Sequence, residues 1–258
     1  MHVPELLLRA DRAEALPRLG GMARPDGVVI VSERFWAFAR RDGALLEGVM
    51  PAPPAALRRV PLARGLARLW MSVAPLLRKS GVAKRGERRM LLLAILAPFS
   101  FVLLPSPFDM VGWIVVMVGL IAWVFRGRTL NLHGAEHRAI AAVEERRLAT
   151  TWTGEAKPSR FSLRCGTNFA ALVIPVTVLA ERIWPFQAAL WTPVVITVFS
   201  LALSMELWRA VQESSRRGAR LLLYPGLGLQ RLTTREPQLE ETQVALRAVE
   251  SILRRELD

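Results

Sequence analysis

Four apolar stretches dominate the hydrophobic pattern of the chain, and basic segments separate the first pair from the second. The stretches are Met90–Leu104, Met110–Phe125, Asn168–Ala180 and Ile183–Ser204. With their flanking residues, each approaches the ~20 residues that a helix needs to cross a bilayer. The pattern therefore predicts a mainly α, polytopic membrane protein with four transmembrane helices arranged as two hairpins.

The distribution of Lys and Arg predicts an orientation for these spans. The segments before the first span, between the second and third, and after the fourth are strongly basic, whereas the two short opposite turns hold only Arg182. Because positive charge collects on the cytoplasmic side, we expect both termini and the central loop to face the cytoplasm.

Overall composition agrees with a membrane class. The chain has 258 residues, is 52% hydrophobic and carries a net charge of +13, a combination that is rare in soluble domains. Cys165 is the single cysteine, so no internal disulfide can form, as expected for a reducing compartment. The N-terminal residues lack the basic and apolar regions of a cleavable signal peptide.

The N-terminal third predicts short β-strands rather than spans. Val28–Val31 and Phe35–Ala39 are apolar runs bounded by Gly-containing turns. They favour a small β-meander or hairpin, with a loosely structured leader as the alternative. The Pro- and Ala-rich run Pro51–Ala56 is typical of a linker.

A basic amphipathic helix is predicted after this linker. Its apolar face runs from Leu62 to Leu77, and its basic residues are Arg64, Arg68, Arg78 and Lys79. One interpretation places the helix on the membrane, with these side chains toward anionic lipid headgroups. The other packs it against the rest of the protein.

A final helix is predicted in the tail. Pro237 suits its first turn, and Leu239, Leu246, Val249 and Leu253 give it an apolar stripe suited to a core or to a partner.

The predicted organisation has six parts. They are a β-rich leader and linker (1–56), a basic amphipathic helix (57–88), the first hairpin (89–126), a cytoplasmic helix and loop (127–167), the second hairpin (168–208) and a basic tail with its terminal helix (209–258).

Candidate chemistry is concentrated in Asn131–Glu145, which predicts a helix with Asn131 as its N-cap. His133 and His137 lie one turn apart on one face, with Glu136 beside them. This His-x-x-Glu-His spacing is typical of zinc sites in which two imidazoles hold the ion and the glutamate is the general base. Two ordinary helix histidines are the alternative.

A further ligand has to come from elsewhere in the chain. Cys165 is the best candidate, and we expect it within reach of both histidines, although a small buried hydrophobic role is the alternative. Glu206 is a weaker candidate, and His2 is remote and terminal. Glu144 lies ~10 Å along the helix from His137, too far to join the same ion.

Arg164 stands next to the candidate thiol and is expected to pair with Glu136 or Glu144. Such pairing would make the cluster a structural ion network rather than a reactive centre. Glu144 and Arg164 are therefore expected to act around the site, not as ligands.

Several motifs together resemble the YqhQ family of bacterial membrane proteins. They are His-Gly-Ala-Glu-His, Arg-Cys-Gly-Thr and the segment Pro225–Pro237, so that the resemblance runs from about Arg128 to the C-terminus. The family is of unknown function and is commonly labelled a metal-dependent enzyme. The resemblance implies an inner-membrane protein with a metal site. The N-terminal third matches poorly, and Phe161-Ser-Leu stands where many members carry a histidine.

Two functions follow as expectations. The first is a zinc-like site at the cytoplasmic membrane surface that supports metal-dependent hydrolysis, with His133, His137 and Cys165 as ligands and Glu136 as catalytic residue. The second is a non-enzymatic membrane scaffold that binds a protein partner, a second copy or lipid. No aromatic and basic interleaving marks a nucleic-acid surface, so no DNA is expected, while contact with ribosomal RNA stays open.

Overall fold

The chain folds into two units, each assembled from separate segments. The computed structural model describes residues 3–52, 55–78, 81–101, 107–187, 189, 191–214 and 217–257. Unit 1 comprises Met1–Ala52, Phe125–Cys165 and Leu227–Asp258, and unit 2 comprises Pro53–Val124 and Gly166–Gly226. His2 and Lys79 lie outside the described residues.

Helices make up most of the described structure, and one small sheet lies near the N-terminus. The strands are β1 (Gly20–Arg24), β2 (Gly27–Val31), β3 (Phe35–Arg40) and β4 (Leu45–Val49). The helices are α1 (Val3–Asp11), α2 (Ala55–Arg59), α3 (Ala63–Leu77), α4 (Arg85–Phe101), α5 (Phe108–Phe125), α6 (Thr129–Glu144), α7 (Leu148–Thr153), α8 (Gly166–Arg182), α9 (Thr192–Glu213), α10 (Arg217–Arg220), α11 (Tyr224–Thr233) and α12 (Leu239–Leu257).

The sheet of unit 1 is an antiparallel meander in the order β1-β2-β3-β4. Val28 pairs with Ala39 and Ile30 with Ala37, so these four apolar side chains share one face and enter the hydrophobic core. The strands predicted at 28–31 and 35–39 are therefore present, and two further strands extend them into a meander.

Helices α6 and α12 pack together and complete the core of unit 1 against the sheet. Leu246, Val249 and Leu253 of the predicted apolar stripe are fully buried there, whereas Leu239 is 44% exposed. Three quarters of that stripe therefore forms core. Asp11 at the end of α1 accepts hydrogen bonds from the first two backbone amides of α7, which anchors that short helix.

In unit 2, α3 and α8 both pack against α9. Gly65 lets the α3 backbone approach the carbonyl oxygen of Ala202, and Arg64 forms a bidentate ion pair with Glu206. The basic amphipathic helix thus contacts protein along its Arg64 edge. Arg68 and Arg78 are exposed, and their contact with lipid headgroups stays a prediction.

The prediction of four transmembrane helices is wrong. Among the described residues, one helix, α9, is long and apolar enough to cross a membrane. Helix α4 has 17 residues and begins with the charged run Arg85–Arg89, which leaves too short an apolar remainder. Within α5, Met110–Gly119 is a shorter apolar stretch. The predicted end of the first span, at Leu104, lies outside the described residues.

The second predicted hairpin also differs from the structure. Helix α8 has 17 residues, contains Pro175 and ends in Glu181-Arg182. The next helix starts at Thr192 rather than Ile183 and has Pro193 in its first turn. Proline lacks the amide that a helix interior needs but fits a first turn, so Pro193 accounts for the later start.

Candidate metal site

The site lies on α6, which two glycines bring close to its neighbours. A side chain at Gly134 would collide with the backbone carbonyl of Arg235, and one at Gly21 would collide with Glu136. These glycines therefore allow the segment after α11 and strand β1 to lie directly against α6. The helix begins at Thr129, ahead of the predicted N-cap Asn131, whose side-chain amide instead donates to the carbonyl oxygen of Glu236.

The structure brings His133, His137 and Cys165 together within unit 1. One ligand atom from each lies within 4.8 Å of the other two. The Sγ atom of Cys165 is 3.3 Å from Nε2 of His133, and the two imidazole rings meet edge to face with centroids 4.5 Å apart. The three candidate ligands from the sequence thus form one cluster.

Backbone carbonyls fix the orientation of both imidazoles. The Nδ1 atom of His133 lies 2.8 Å from the carbonyl oxygen of Thr233, and Nδ1 of His137 lies 2.7 Å from that of Arg160. A carbonyl oxygen can only accept, so each Nδ1 carries the proton and donates. Each Nε2 then presents a lone pair to the cluster. Metal-binding histidines are held in this way in known sites.

Burial keeps both imidazoles neutral. Desolvation lowers the pKa of His133, and desolvation together with the nearby His133 lowers the pKa of His137 to about 3. Hydrogen bonds to the backbone carbonyls oppose these shifts without reversing them. Both side chains are therefore in the protonation state that binds metal at neutral pH.

Nε2 of His137 is the chemically unusual atom of the cluster. It is buried and has no hydrogen-bond partner among the described residues, although buried polar atoms nearly always have one. In a tetrahedral zinc site, nitrogen and sulfur ligands lie roughly 3.3–3.6 Å apart. A spacing within 4.8 Å requires side-chain movements of about 1 Å to close on one ion. The donor types fit zinc, and their present spacing is wider than that of a closed site by about 1 Å.

Glu136 lies outside this ligand group and against β1. The residue is 4% exposed, and its side chain occupies the space that a Cβ at Gly21 would need. Burial raises the pKa of its carboxyl group to about 8. In the metal-free protein at neutral pH, Glu136 is therefore mostly protonated, which suits a proton donor. A dication bound nearby would lower this pKa and favour the base that the sequence predicts.

The other predicted residues surround the site or lie away from it. Arg164 pairs with Glu144 at 2.6 Å on the exposed side of α6, so this ion pair lies beside the cluster and supplies no ligand. Glu206 belongs to unit 2 and is engaged by Arg64.

Sequence reasoning missed the groups that orient the ligands. Thr233 and Arg160 act through backbone carbonyls, which leave no signature in the residue type. The one available signal is the motif Pro225–Pro237, which contains Thr233 and to which the sequence alone assigns no structural role.

The fold and the candidate site together define the class of protein. The protein is mainly helical, with a small antiparallel sheet and a His-His-Cys cluster of metal-ligand type in its sheet-containing unit. A family model described as "Protein of unknown function (DUF1385)" matches residues 107–255, more than half of the chain. The chain belongs to this family.

A relative in Bacillus subtilis (strain 168), named "Uncharacterized protein YqhQ", is 33% identical over 134 residues. The aligned region covers 50% of this chain and 42% of that protein, so it spans less than half the length of the relative. No solved structure matches the chain. The resemblance to the YqhQ family noted from the motifs is confirmed.

Proposed function

We propose that unit 1 binds one divalent metal ion, zinc by its ligand chemistry, through His133, His137 and Cys165. The buried, unpartnered Nε2 of His137 is the observation that carries this proposal. A bound cation would satisfy that lone pair, and would also engage the second lone pair and the sulfur that lie within 4.8 Å of it.

Hydrolysis is the reaction class that such a site supports best. Three protein ligands with an open fourth position are typical of catalytic zinc, which supplies an activated water at neutral pH. Thr233 and Arg160 hold the imidazoles in one tautomer through their carbonyls. Glu136, on the helical turn between the two histidines, is the proposed proton-transfer group, and burial raises its pKa to about 8, within reach of neutral pH.

Metal analysis of the full-length protein in detergent tests the first part of this proposal. We expect about one zinc per chain after dialysis against zinc-buffered solution. The variants His133→Ala, His137→Ala and Cys165→Ser should each lose most of it. His2→Ala removes the third histidine and should bind zinc normally. Stoichiometric zinc that survives all three ligand substitutions, or no zinc in the unaltered protein, rules the site out.

The hydrolytic part needs a separate test. Glu136→Gln preserves shape but cannot exchange a proton, so it should retain zinc and lose hydrolysis of an activated ester or amide probe. A protein that binds zinc, and whose Glu136→Gln variant supports every cellular role of the unaltered chain, is a metal-stabilised scaffold instead.

We also propose that unit 2 attaches the protein to a lipid bilayer, the bacterial inner membrane. Only 33% of the apolar window of α9 is buried within the structure, unlike the core helix of a soluble domain. Large apolar side chains on α4, α5 and α8 are also exposed, and extensive exposed apolar surface is typical of an interface. A bilayer is the occupant that fits apolar side chains spread over several helices.

Membrane retention after alkaline carbonate washing tests this attachment. Val198→Lys places a charge on the exposed side of α9, at a cost of about 2.5–3.5 kcal/mol if that position is central in the bilayer. It should shift part of the protein to the wash. Leu46→Lys, at an exposed apolar position of β4 in unit 1, is the matched control and should stay in the pellet. Complete release of the unaltered protein contradicts membrane attachment.

A further inference from the structure

We propose that Gln230 is the positioning residue that holds the loop of residues 160–165, which carries Cys165, against α11. This inference rests on the proposed metal site, because it concerns how one of its ligands is placed. It adds a role for a residue that is not one of the three candidate ligands.

The side-chain amide of Gln230 pairs with the backbone of Ser162 in both directions. The Ser162 amide donates to Oε1 at 2.9 Å, and Nε2 donates to the Ser162 carbonyl oxygen at 2.7 Å. Gln230 is fully buried. Two opposed hydrogen bonds reproduce the pairing of adjacent β-strands, so they fix both the position and the direction of the loop at this point.

Ser162 lies between the two parts of the loop that serve the cluster. Two residues before it, the carbonyl of Arg160 orients His137, and three residues after it stands Cys165. Three residues after Gln230, on α11, Thr233 supplies the carbonyl that orients His133. One side chain therefore ties the segment that carries the thiol to the segment that orients the other histidine.

A second contact ties the same two segments together. The Arg160 guanidinium donates to the carbonyl oxygen and to the hydroxyl of Thr234. The Arg160 contact lies on the far side of Ser162 from Cys165, and on the near side Arg164 pairs with Glu144. The Gln230 pair lies closer in sequence to the thiol than the Arg160 contact does, so we expect its loss to affect the thiol more than the imidazoles.

Among side chains of this length, an amide satisfies both backbone groups of Ser162 at any pH, whereas a carboxyl group does so only while it is protonated. A glutamate at position 230 could accept from the amide but, when ionised, could not donate to the carbonyl. A leucine would fill a similar volume and leave both backbone groups unpaired. At a pH high enough to ionise the glutamate, the series Gln, Glu, Leu thus removes first one hydrogen bond and then both.

Thiol labelling of the metal-free, full-length protein tests the inference directly. Cys165 is the only cysteine and is 7% exposed, so its reaction rate with a maleimide reports on this one loop. We expect Gln230→Leu to raise that rate about tenfold, which corresponds to about 1.4 kcal/mol, with Gln230→Glu between it and the unaltered protein. Gln243→Ala removes the hydrogen bond from the Gln243 side-chain amide to the Trp152 carbonyl oxygen, elsewhere in unit 1. It should leave the labelling rate unchanged.

Zinc titration supplies the second readout. Gln230→Leu should weaken zinc binding about tenfold, and Co²⁺ substituted into it should show a reduced thiolate-to-metal charge-transfer band. If the variants change neither the labelling rate nor the zinc affinity, Gln230 does not position the thiol. If Gln230→Leu raises the labelling rate but the unaltered protein binds no zinc, Gln230 positions the thiol and the metal site is ruled out. A raised rate shared by Gln243→Ala would indicate general loosening of unit 1 and overturn the specific role.

Discussion

Replacement of Glu136 by glutamine should stabilise the metal-free protein, and more so as the pH rises. Burial raises the pKa of this carboxyl group from its ordinary value of 4.5 to about 8. Between these pH values the unfolded chain has lost the proton that the folded protein still holds. The folded state binds the extra proton, so its stability falls as the pH increases from about 4.5 and levels off above about 8. A glutamine cannot ionise and does not incur this loss.

The size of the effect follows from the two pKa values. At about 1.4 kcal/mol for each tenfold change in proton affinity, the full difference approaches 5 kcal/mol above pH 8, with about 3 kcal/mol of it present at pH 7. These values are upper limits, since water that reaches the carboxyl group would reduce them. The stabilisation of the variant is not offset by a lost hydrogen bond, because no described residue is hydrogen-bonded to the Glu136 carboxyl group.

Urea unfolding of the full-length protein, with metal removed by a chelator, measures this difference. At pH 5 the Glu136→Gln variant and the unaltered protein should have similar midpoints. At pH 8 the variant's midpoint should be higher by on the order of 1 M. The two buried histidines titrate in both proteins, so their contribution cancels in the comparison. Glu144→Gln, at a half-exposed position on the same helix, should shift the midpoint little at either pH. If the difference in unfolding midpoint between Glu136→Gln and the unaltered protein is the same at pH 5 and pH 8, the Glu136 carboxyl group does not hold its proton as argued.

Two further substitutions test the close packing of unit 1. Gly134→Ala should destabilise the protein by about 2 kcal/mol and lower its zinc content, because the new methyl group displaces the Arg235 carbonyl. Gly228→Ala, which meets open space on a helix, should be neutral or stabilising by up to about 1 kcal/mol. Asp11→Ala should cost about 1 kcal/mol by removing the acceptor at the start of α7. Unfolding midpoints check all three, and an unchanged midpoint for Gly134→Ala would contradict the close approach to α6.

The sequence was informative where a local pattern determines the outcome. Apolar runs bounded by turn residues located β2 and β3 within one residue of their observed ends. One-turn spacing placed His133 and His137 side by side, and the single thiol was correctly expected near them. These inferences needed only helix geometry and the chemistry of three side chains.

Apolar length was a less reliable guide than side-chain spacing. Counting flanking residues as part of each span ignored the arginines that begin α4 and Pro193 in the first turn of α9. Both features shorten or shift a helix, because charge disfavours burial in lipid and proline lacks a backbone donor.

Long-range pairing was beyond what a single sequence reveals. Arg64 pairs with Glu206 over 142 positions, and His133 is oriented by Thr233 over 100 positions. Neither contact has a periodic or local signature. The same limit applies to Gln230, whose partner Ser162 is 68 positions away and is engaged through its backbone.

The discontinuous construction of unit 1 has a consequence for its biosynthesis. The sheet, α6 and the cysteine emerge from the ribosome well before Leu227–Asp258, yet α12 covers the sheet and Thr233 orients His133. Until Leu227–Asp258 has emerged, the nascent unit exposes one apolar face of its meander and leaves an imidazole without its acceptor. Contacts across such distances also close slowly. The mature geometry of the cluster thus waits for the emergence of Leu227–Asp258, and a ribosome stalled before Leu227 would present an open, misoriented set of ligands.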